Sequence, residues 1–361
     1  MPPKKKKGNK SSSSNQEDGD AVENFVSNYK KACGLINAET NSYIIKSISG
    51  DLEDNNEDGD DAIDPTLHLL LADLNLRPSG TRAVAWAILG NGANMKGGSY
   101  KNFQSLQFVR CDCRDAGAAA FAEVLRIGPT LDVMIKTLSF VHCNVFSLGC
   151  HMLGNALASG MNTSLTTLTL DYNKFGNEGI VKLIHGLRSN CTMETLNLRF
   201  CNMEGIDFAA SLCDLINNNK SQLSKINVEG NQLGAKGLGV FSRALRKNKT
   251  LTSLDISDNA INVDYEPKNF AIFSNGLTSF GEALLINKTL KEINFRSNTL
   301  GEPGADILKP ILDRNNYDDA NSTLNKFFVS TILNKKDFDA LNRNEKGGKK
   351  KKGGKKKKKK K

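Results

Sequence analysis

The chain has 361 residues, with 49 Lys and Arg against 39 Asp and Glu, a formal net charge of +10. It holds no apolar run of bilayer length, and its start, Met1-Pro-Pro-Lys-Lys-Lys-Lys7, lacks the apolar stretch of a secretory signal, so an intracellular protein without a membrane span is expected. The charge sits at the ends: residues 1–10 carry +5 and residues from Arg343 onward carry +12, leaving −7 on residues 11–342.

In chain order, residues 1–20 read as a disordered Lys/Ser-rich tail. Over 21–50, Val22, Phe25, Val26, Tyr29, Cys33 and Ile36 fall on one helical face, and Tyr43, Ile44, Ile45 and Ile48 suggest a second helix. Residues 51–64 hold eight acids in fourteen positions and read as an acidic linker; they lack the spacing and closing Glu of a calcium loop. From 65 to 335 the frame L-x-x-L-x-L-x-x-N/C-x-L recurs, starting at 66, 103, 135, 165, 193, 223, 251, 290 and 324. Residues 336–361 read as a second disordered Lys-rich tail.

Each unit has a physical reading. Apolar residues two apart, as in Leu196-x-Leu198 and Leu254-x-Ile256, point to one side of a short strand. The next fixed position, Cys111, Cys143, Asn173, Cys201, Asn231, Asn259 or Asn298, can hydrogen-bond backbone groups of a neighbouring coil. A Gly then opens a helical stripe such as Ile180, Leu183, Ile184 and Leu187. One coil cannot bury its own apolar faces, so successive coils must stack into a solenoid. Five Asn-x-Ser/Thr triplets, at Asn162, Asn190, Asn248, Asn287 and Asn321, each start three residues before a repeat. That regularity predicts a structural role, with Asn ending the helix in a left-handed conformation, rather than glycosylation. Trp86, among Val84, Ile88 and Leu89, is expected to be largely buried and to seal the joint between cap and solenoid.

This repeat, with Asn or Cys at its ladder position and a full helix after Gly, resembles the ribonuclease-inhibitor class of leucine-rich repeats. The resemblance covers 66 to about 335 and implies an α/β fold: a solenoid, or horseshoe, with a parallel inner sheet and outer helices. The class includes Ran GTPase-activating proteins and axonemal subunits. The stretch Tyr29-Lys-Lys-Ala-Cys33 leading to Ser42-Tyr-Ile-Ile45 is similar to the helical leader of ciliary dynein-regulatory repeat proteins.

The sequence shows neither a phosphate-binding Gly-rich loop nor a nucleophile flanked by a base, and Cys111-Asp-Cys113 lacks a second ligand pair for zinc. A non-catalytic protein-binding scaffold without cofactor or metal is therefore expected. Residues between and just after the inward strand positions are displayed on the concave face: Asp171, Tyr172, Arg199, Phe200, Glu229, Asp255 and Arg296. Aromatic and Arg side chains are the types enriched in binding hot spots. The 39-residue unit adds an insertion with Tyr265, Phe270 and Phe273, which either forms a contact loop or packs back onto the horseshoe. The Lys tails suit salt-sensitive attraction to an acidic polymer, tubulin tails or nucleic acid. A cytoplasmic or ciliary setting is favoured over a nuclear one. The alternatives are a Ran-type GTPase activator, which rests on the shared repeat although the basic chain end departs from that family's acidic one, and a nuclear protein tethered to nucleic acid.

Overall fold

In the computed structural model, residues 12–51, 64–90, 95, 97–158, 160–218, 221–312 and 323–343 are described. Two helices, α1 (Ser12–Leu35) and α2 (Ser42–Ser49), precede the repeats. The coils then alternate strand and helix. The first four are β1 (His68–Ala72) with α3 (Arg77–Leu89), β2 (Ser105–Val109) with α4 (Arg114–Ile127), β3 (Thr137–Val141) with α5 (Ser147–Ala156), and β4 (Thr167–Thr169) with α6 (Gly176–Leu187). The next four are β5 (Thr195–Asn197) with α7 (Gly205–Ile216), β6 (Lys225–Asn227) with α8 (Gly234–Leu245), β7 (Ser253–Asp255) with α9 (Pro267–Ile286), and β8 (Glu292–Asn294) with α10 (Gly301–Leu312). β9 (Lys326–Phe328) and α11 (Lys335–Leu341) close the series.

The nine strands form one parallel sheet in sequential order, β1 to β9. Register is conserved along it: Leu69, Leu106, Leu138, Leu168, Leu196, Ile226, Leu254, Ile293 and Phe327 pair in succession, and all are buried. The period of the sequence is thus the period of the sheet, and the molecule is an α/β horseshoe solenoid.

Asparagines hold the coils together at two levels. At the ladder position, Asn231 Oδ1 accepts from the backbone N–H of Cys201 and Met203 (both 3.1 Å), while its Nδ2 donates to Leu198 and Val228 carbonyls. Asn173 and Asn298 do the same for their preceding coils. Where Cys stands instead, its thiol donates but offers no amide oxygen to accept; Cys143 and Cys201 donate to the Phe108 and Leu170 carbonyls at 3.3 Å. The second level is built by the sequon asparagines. Asn190 Oδ1 accepts from Thr192 and Met193 N–H, and its Nδ2 reaches back to the Leu157 carbonyl at 2.8 Å. Asn162, Asn248 and Asn287 repeat this pattern and are likewise buried. They are structural, but not through a left-handed backbone: Asn287 has φ −70° and ψ 123°, and its side chain does the capping. Asn321 lies outside the described residues.

The boundaries differ from the sequence expectation in two places. Helix α1 starts at Ser12, inside the segment read as a disordered tail. At the other end α11 continues the packed structure past residue 335, with Asp337 and Leu341 buried; Lys309 of α10 pairs with Asp337 at 2.7 Å, and Asn334 caps the helix through Asp337 N–H. The first coil is sealed by an aromatic cluster, not by Trp86: Phe25 of α1 lies 5.1 Å from Tyr100 and 5.5 Å, edge-on, from Phe103. Trp86 is half-buried, packed against the core on the helical side with the Arg82 guanidinium 5.1 Å over its ring. The alanine-rich α4 stands low between its neighbours, so Trp86 remains on the wall of a groove instead of being covered. Most of residues 51–64, the acidic linker, and the Lys-rich residues 344–361 lie outside the described residues.

Candidate functional site: the concave face over β4 to β7

After every strand the chain must turn off the sheet, and one fixed turn position takes a left-handed backbone. That position holds Asp73, Arg110, His142, Tyr172, Phe200, Gly230, Asp258 and Ser297 in successive coils, with φ from 49° to 70° for all eight. Left-handed φ suits Gly, Asn and Asp; for a bulky aromatic residue it is costly. Two consecutive coils nevertheless place aromatic residues there, Tyr172 (φ 60°) and Phe200 (φ 53°). Their rings stack nearly parallel, with centroids 4.9 Å apart and planes inclined by 9°. The next coil has Gly230, and the Phe200 ring lies across it: a Cβ on Gly230 would stand 2.2 Å from the ring edge. Glycine there permits both the turn (φ 70°) and the close approach of the ring. The result is an aromatic shelf on the concave side, with Tyr172 42% exposed at its open end.

Beside the shelf runs a charged network across three coils. Asp171 is buried, and its carboxylate accepts from Arg199 twice, from the backbone N–H and from Nε, each at 2.8 Å. Arg199 turns its remaining guanidinium edge toward Glu229, 3.8 Å away. Burial disfavours the Arg199 charge, but the Asp171 hydrogen bond and charge more than offset it and hold its pKa above the ordinary value. Glu229 is pushed the other way. Partial burial raises its pKa first, the Asp255 charge adds to that, and Arg199 offsets only part of it. Asp255 is fixed by Ser257, whose Oγ donates at 2.6 Å, and by Asn294 Nδ2 at 2.8 Å from the next coil. Asp258 stands exposed at the turn of that coil.

The sequence-derived candidates therefore separate. Tyr172, Phe200, Arg199, Asp171, Glu229 and Asp255 converge over β4 to β7, although Asp171 serves as the buried anchor of Arg199 and is itself covered. Arg296 is exposed one coil further on, with its guanidinium 4.6 Å over the Phe328 ring. The insertion supplies less than its residues suggested. Phe273 is buried and belongs to the core, packing beside Gly304 of α10, and Phe270 is half-buried in the first turn of α9. The extra residues lengthen α9 to 20 residues, against 12 in α8 and α10. Only Tyr265 is open to solvent, 71% exposed near the start of α10.

Two features escaped the sequence reading. Gly230 is the first, and its role is visible only once the Phe200 ring is seen upon it. The second is an apolar groove of about 610 Å³ between α3, α4 and α5, floored by Ala116, Ala119 and Ala120 and walled by Trp86, Met152 and Met161. The spacing of alanines 116, 119 and 120 along one helical face was its available signal. Among the described residues, no cluster of three or more His, Cys, Asp or Glu is placed to hold a metal ion, and no helix is long and apolar enough to cross a membrane.

Fold and repeat chemistry together define a leucine-rich repeat solenoid, and comparison with known proteins agrees. A leucine-rich repeat family model matches residues 162–183, 189–206 and 247–264. The porcine (Sus scrofa) ribonuclease inhibitor is 27% identical over 176 residues, covering 47% of this chain and 34% of that protein. The bovine (Bos taurus) NACHT, LRR and PYD domains-containing protein 5 is 25% identical over 214 residues, 59% of this chain and 18% of that protein. Human (Homo sapiens) NACHT, LRR and PYD domains-containing protein 14 is 26% identical over 233 residues, 64% and 19% respectively. The matched stretches thus span between 18% and 34% of these relatives. In its repeats the chain is similar to leucine-rich repeat proteins of the ribonuclease-inhibitor class.

Proposed function

We propose that this chain is a non-catalytic, intracellular scaffold that grips a protein partner on the concave face over β4 to β7. The observation that carries this reading is the Tyr172–Phe200 shelf: two aromatic residues held in a backbone conformation they disfavour, stacked, and left accessible beside a fixed Arg199. Packing inside the coil does not need an aromatic ring there, because the other coils turn with Asp, Arg, His, Gly or Ser. Aromatic and Arg side chains held rigid lose little entropy on binding and dominate interface energetics. A likeness to a protein whose name is ribonuclease inhibitor also favours recognition of a protein over chemistry on a small molecule. The Lys-rich ends add attraction to acidic polymers, with tubulin tails in a microtubule or axonemal setting preferred to nucleic acid. That attraction weakens steeply with salt, since exposed charges are screened over about 8 Å at physiological ionic strength.

The test is affinity capture from the native cell type at low and high salt, with the full chain and with Tyr172→Ala/Phe200→Ala. A partner retained at high salt and lost with the double substitution is the expected result. Capture unchanged by the substitution, or stimulation of GTP hydrolysis by Ran, would contradict the scaffold reading.

A further inference from the structure

The described structure ends where it can reach the concave face. Arg343 pairs antiparallel with Phe327 of β9, exchanging N–H to carbonyl bonds of 2.8 and 3.1 Å, so the chain leaves the solenoid at the last strand of the sheet. Beyond it lie 18 residues with twelve Lys and one Glu, eleven of the lysines in Lys349–Lys361. Parallel strands stand about 4.8 Å apart, so β7 is roughly 10 Å and β5 roughly 19 Å from β9. An extended segment of 18 residues reaches up to about 60 Å, and Lys349 alone lies within about 20 Å of Arg343. The tail therefore spans the distance with chain to spare.

What it would meet is complementary. Over β4 to β7 the concave face carries Asp171, Glu229, Asp255 and Asp258 against Arg199 and Lys225, and Asp171 is already committed to Arg199. Glu229, Asp255 and Asp258 outnumber Lys225 and leave a net negative charge, immediately beside the exposed Tyr172 ring and the half-buried Phe200 ring. Ammonium groups suit both parts, pairing with the carboxylates and resting on aromatic faces. Toward the chain end the concave charges are balanced locally, with Lys326 on Glu292 at 3.2 Å and Arg296 over Phe328. The unbalanced patch is thus set back from the exit point, at a depth that the tail matches.

We propose that the Lys349–Lys361 segment docks in cis across the concave face of β4 to β7, with its lysines against Glu229, Asp255 and Asp258 and over the Tyr172–Phe200 shelf. Its consequence rests on the scaffold reading above: a partner using that face must displace the tail, and neutralising the lysines, as acetylation does, would open it.

Zero-length carbodiimide cross-linking of the full chain, followed by mass spectrometry of the monomer fraction, tests this. At low salt, links from Lys349–Lys361 to Glu229, Asp255 or Asp258 are expected, independent of protein concentration and lost at about 0.5 M salt, where screening lengths fall to a few ångström. With Tyr172→Ala/Phe200→Ala the carboxylates stay and the links should fall several-fold. Links confined to the acidic residues 51–64, links spread over exposed carboxylates at large, or links found only in dimers would overturn the proposal. Partner capture with a chain whose tail lysines are acetylated keeps the two readings apart. Tighter capture is expected if both hold. If cross-links are absent but capture still depends on Tyr172 and Phe200, only the tail proposal fails.

Discussion

At the scale of single residues, the strongest signal is a backbone cost borne by two stacked aromatic residues. A left-handed backbone at a residue other than Gly, Asn or Asp costs on the order of 1–2 kcal/mol. Tyr172 and Phe200 both bear it, while Gly230 takes the same turn freely. Replacing Phe200 by Gly should therefore relieve backbone strain while losing the stack on Tyr172, and the two effects oppose each other. Thermal unfolding of Phe200→Gly is expected to shift by no more than about 1 kcal/mol equivalent in either direction, whereas partner capture should be lost. A large loss of stability would mean that the ring serves the fold instead. Asn231 is the contrasting case, since its bonds are all internal. Asn231→Ala strands the N–H groups of Cys201 and Met203 and should cost at least ~1–3 kcal/mol in denaturant unfolding. Asn231→Cys, which keeps a donor but no amide acceptor, should fall between. Glu229 gives a pH signature. Its folded pKa is raised by burial and then by Asp255, so the protonated form suits the fold, and its contribution to stability declines as pH rises through that raised value. Glu229→Gln should therefore melt at a slightly higher temperature than the natural chain at pH 7. The difference should vanish as pH falls below the ordinary carboxylate range, and a constant difference across pH would contradict this.

Among the elements, helices meet at unequal distances, and glycine decides where. Gly186 of α6 lies so close to Gly154 of α5 that a Cβ would stand 1.8 Å from the Gly154 carbonyl oxygen. The same occurs between α8 and α9, where a Cβ on Gly276 would meet the Ala235 carbonyl at 2.1 Å. Backbone atoms, unlike the end of a side chain, cannot move aside alone. Gly186→Ala should push α5 and α6 apart at a cost of about 1–3 kcal/mol or more, measurable by denaturant unfolding, with strand register retained. Much of this level was legible beforehand. The Leu-x-x-Leu-x-Leu frame gave strand positions because buried residues two apart allow few other arrangements, and the Asn/Cys position announced a hydrogen-bonding ladder. Glycines 154 and 186 were not legible as a contact, since neither belongs to the repeat frame and their pairing depends on how neighbouring coils are rotated. The shelf was half legible: display of Tyr172 and Phe200 followed from strand alternation, whereas their stacking and the role of Gly230 depend on turn geometry. Of the two alternatives left open for the insertion, Phe273 follows the second and packs back onto the horseshoe, because the chain uses the insertion to lengthen α9.

For the whole molecule, the eight cysteines report on the integrity of the stack. All are free thiols; Cys33, Cys111, Cys113, Cys143, Cys150 and Cys201 are buried, Cys213 is half-buried and Cys191 is exposed. Burial pushes Cys111 and Cys213 up to about 11, and raises Cys201 further, disfavouring their reactive thiolates. A thiol reagent at neutral pH should therefore modify Cys191 quickly, Cys213 slowly, and the six buried thiols only on unfolding. Rapid reaction of several thiols would show that the coils are not closed as described. The central claim, that recognition occurs on the concave side, is tested most directly by hydrogen–deuterium exchange on the chain bound to a partner isolated from its native cell. The account predicts new protection in the turns at 169–172, 197–200 and 227–230, with little change in α3 to α5. Protection confined to the groove lined by Trp86 and Met152, with those turns unchanged, would place the binding surface on the helical side and contradict it.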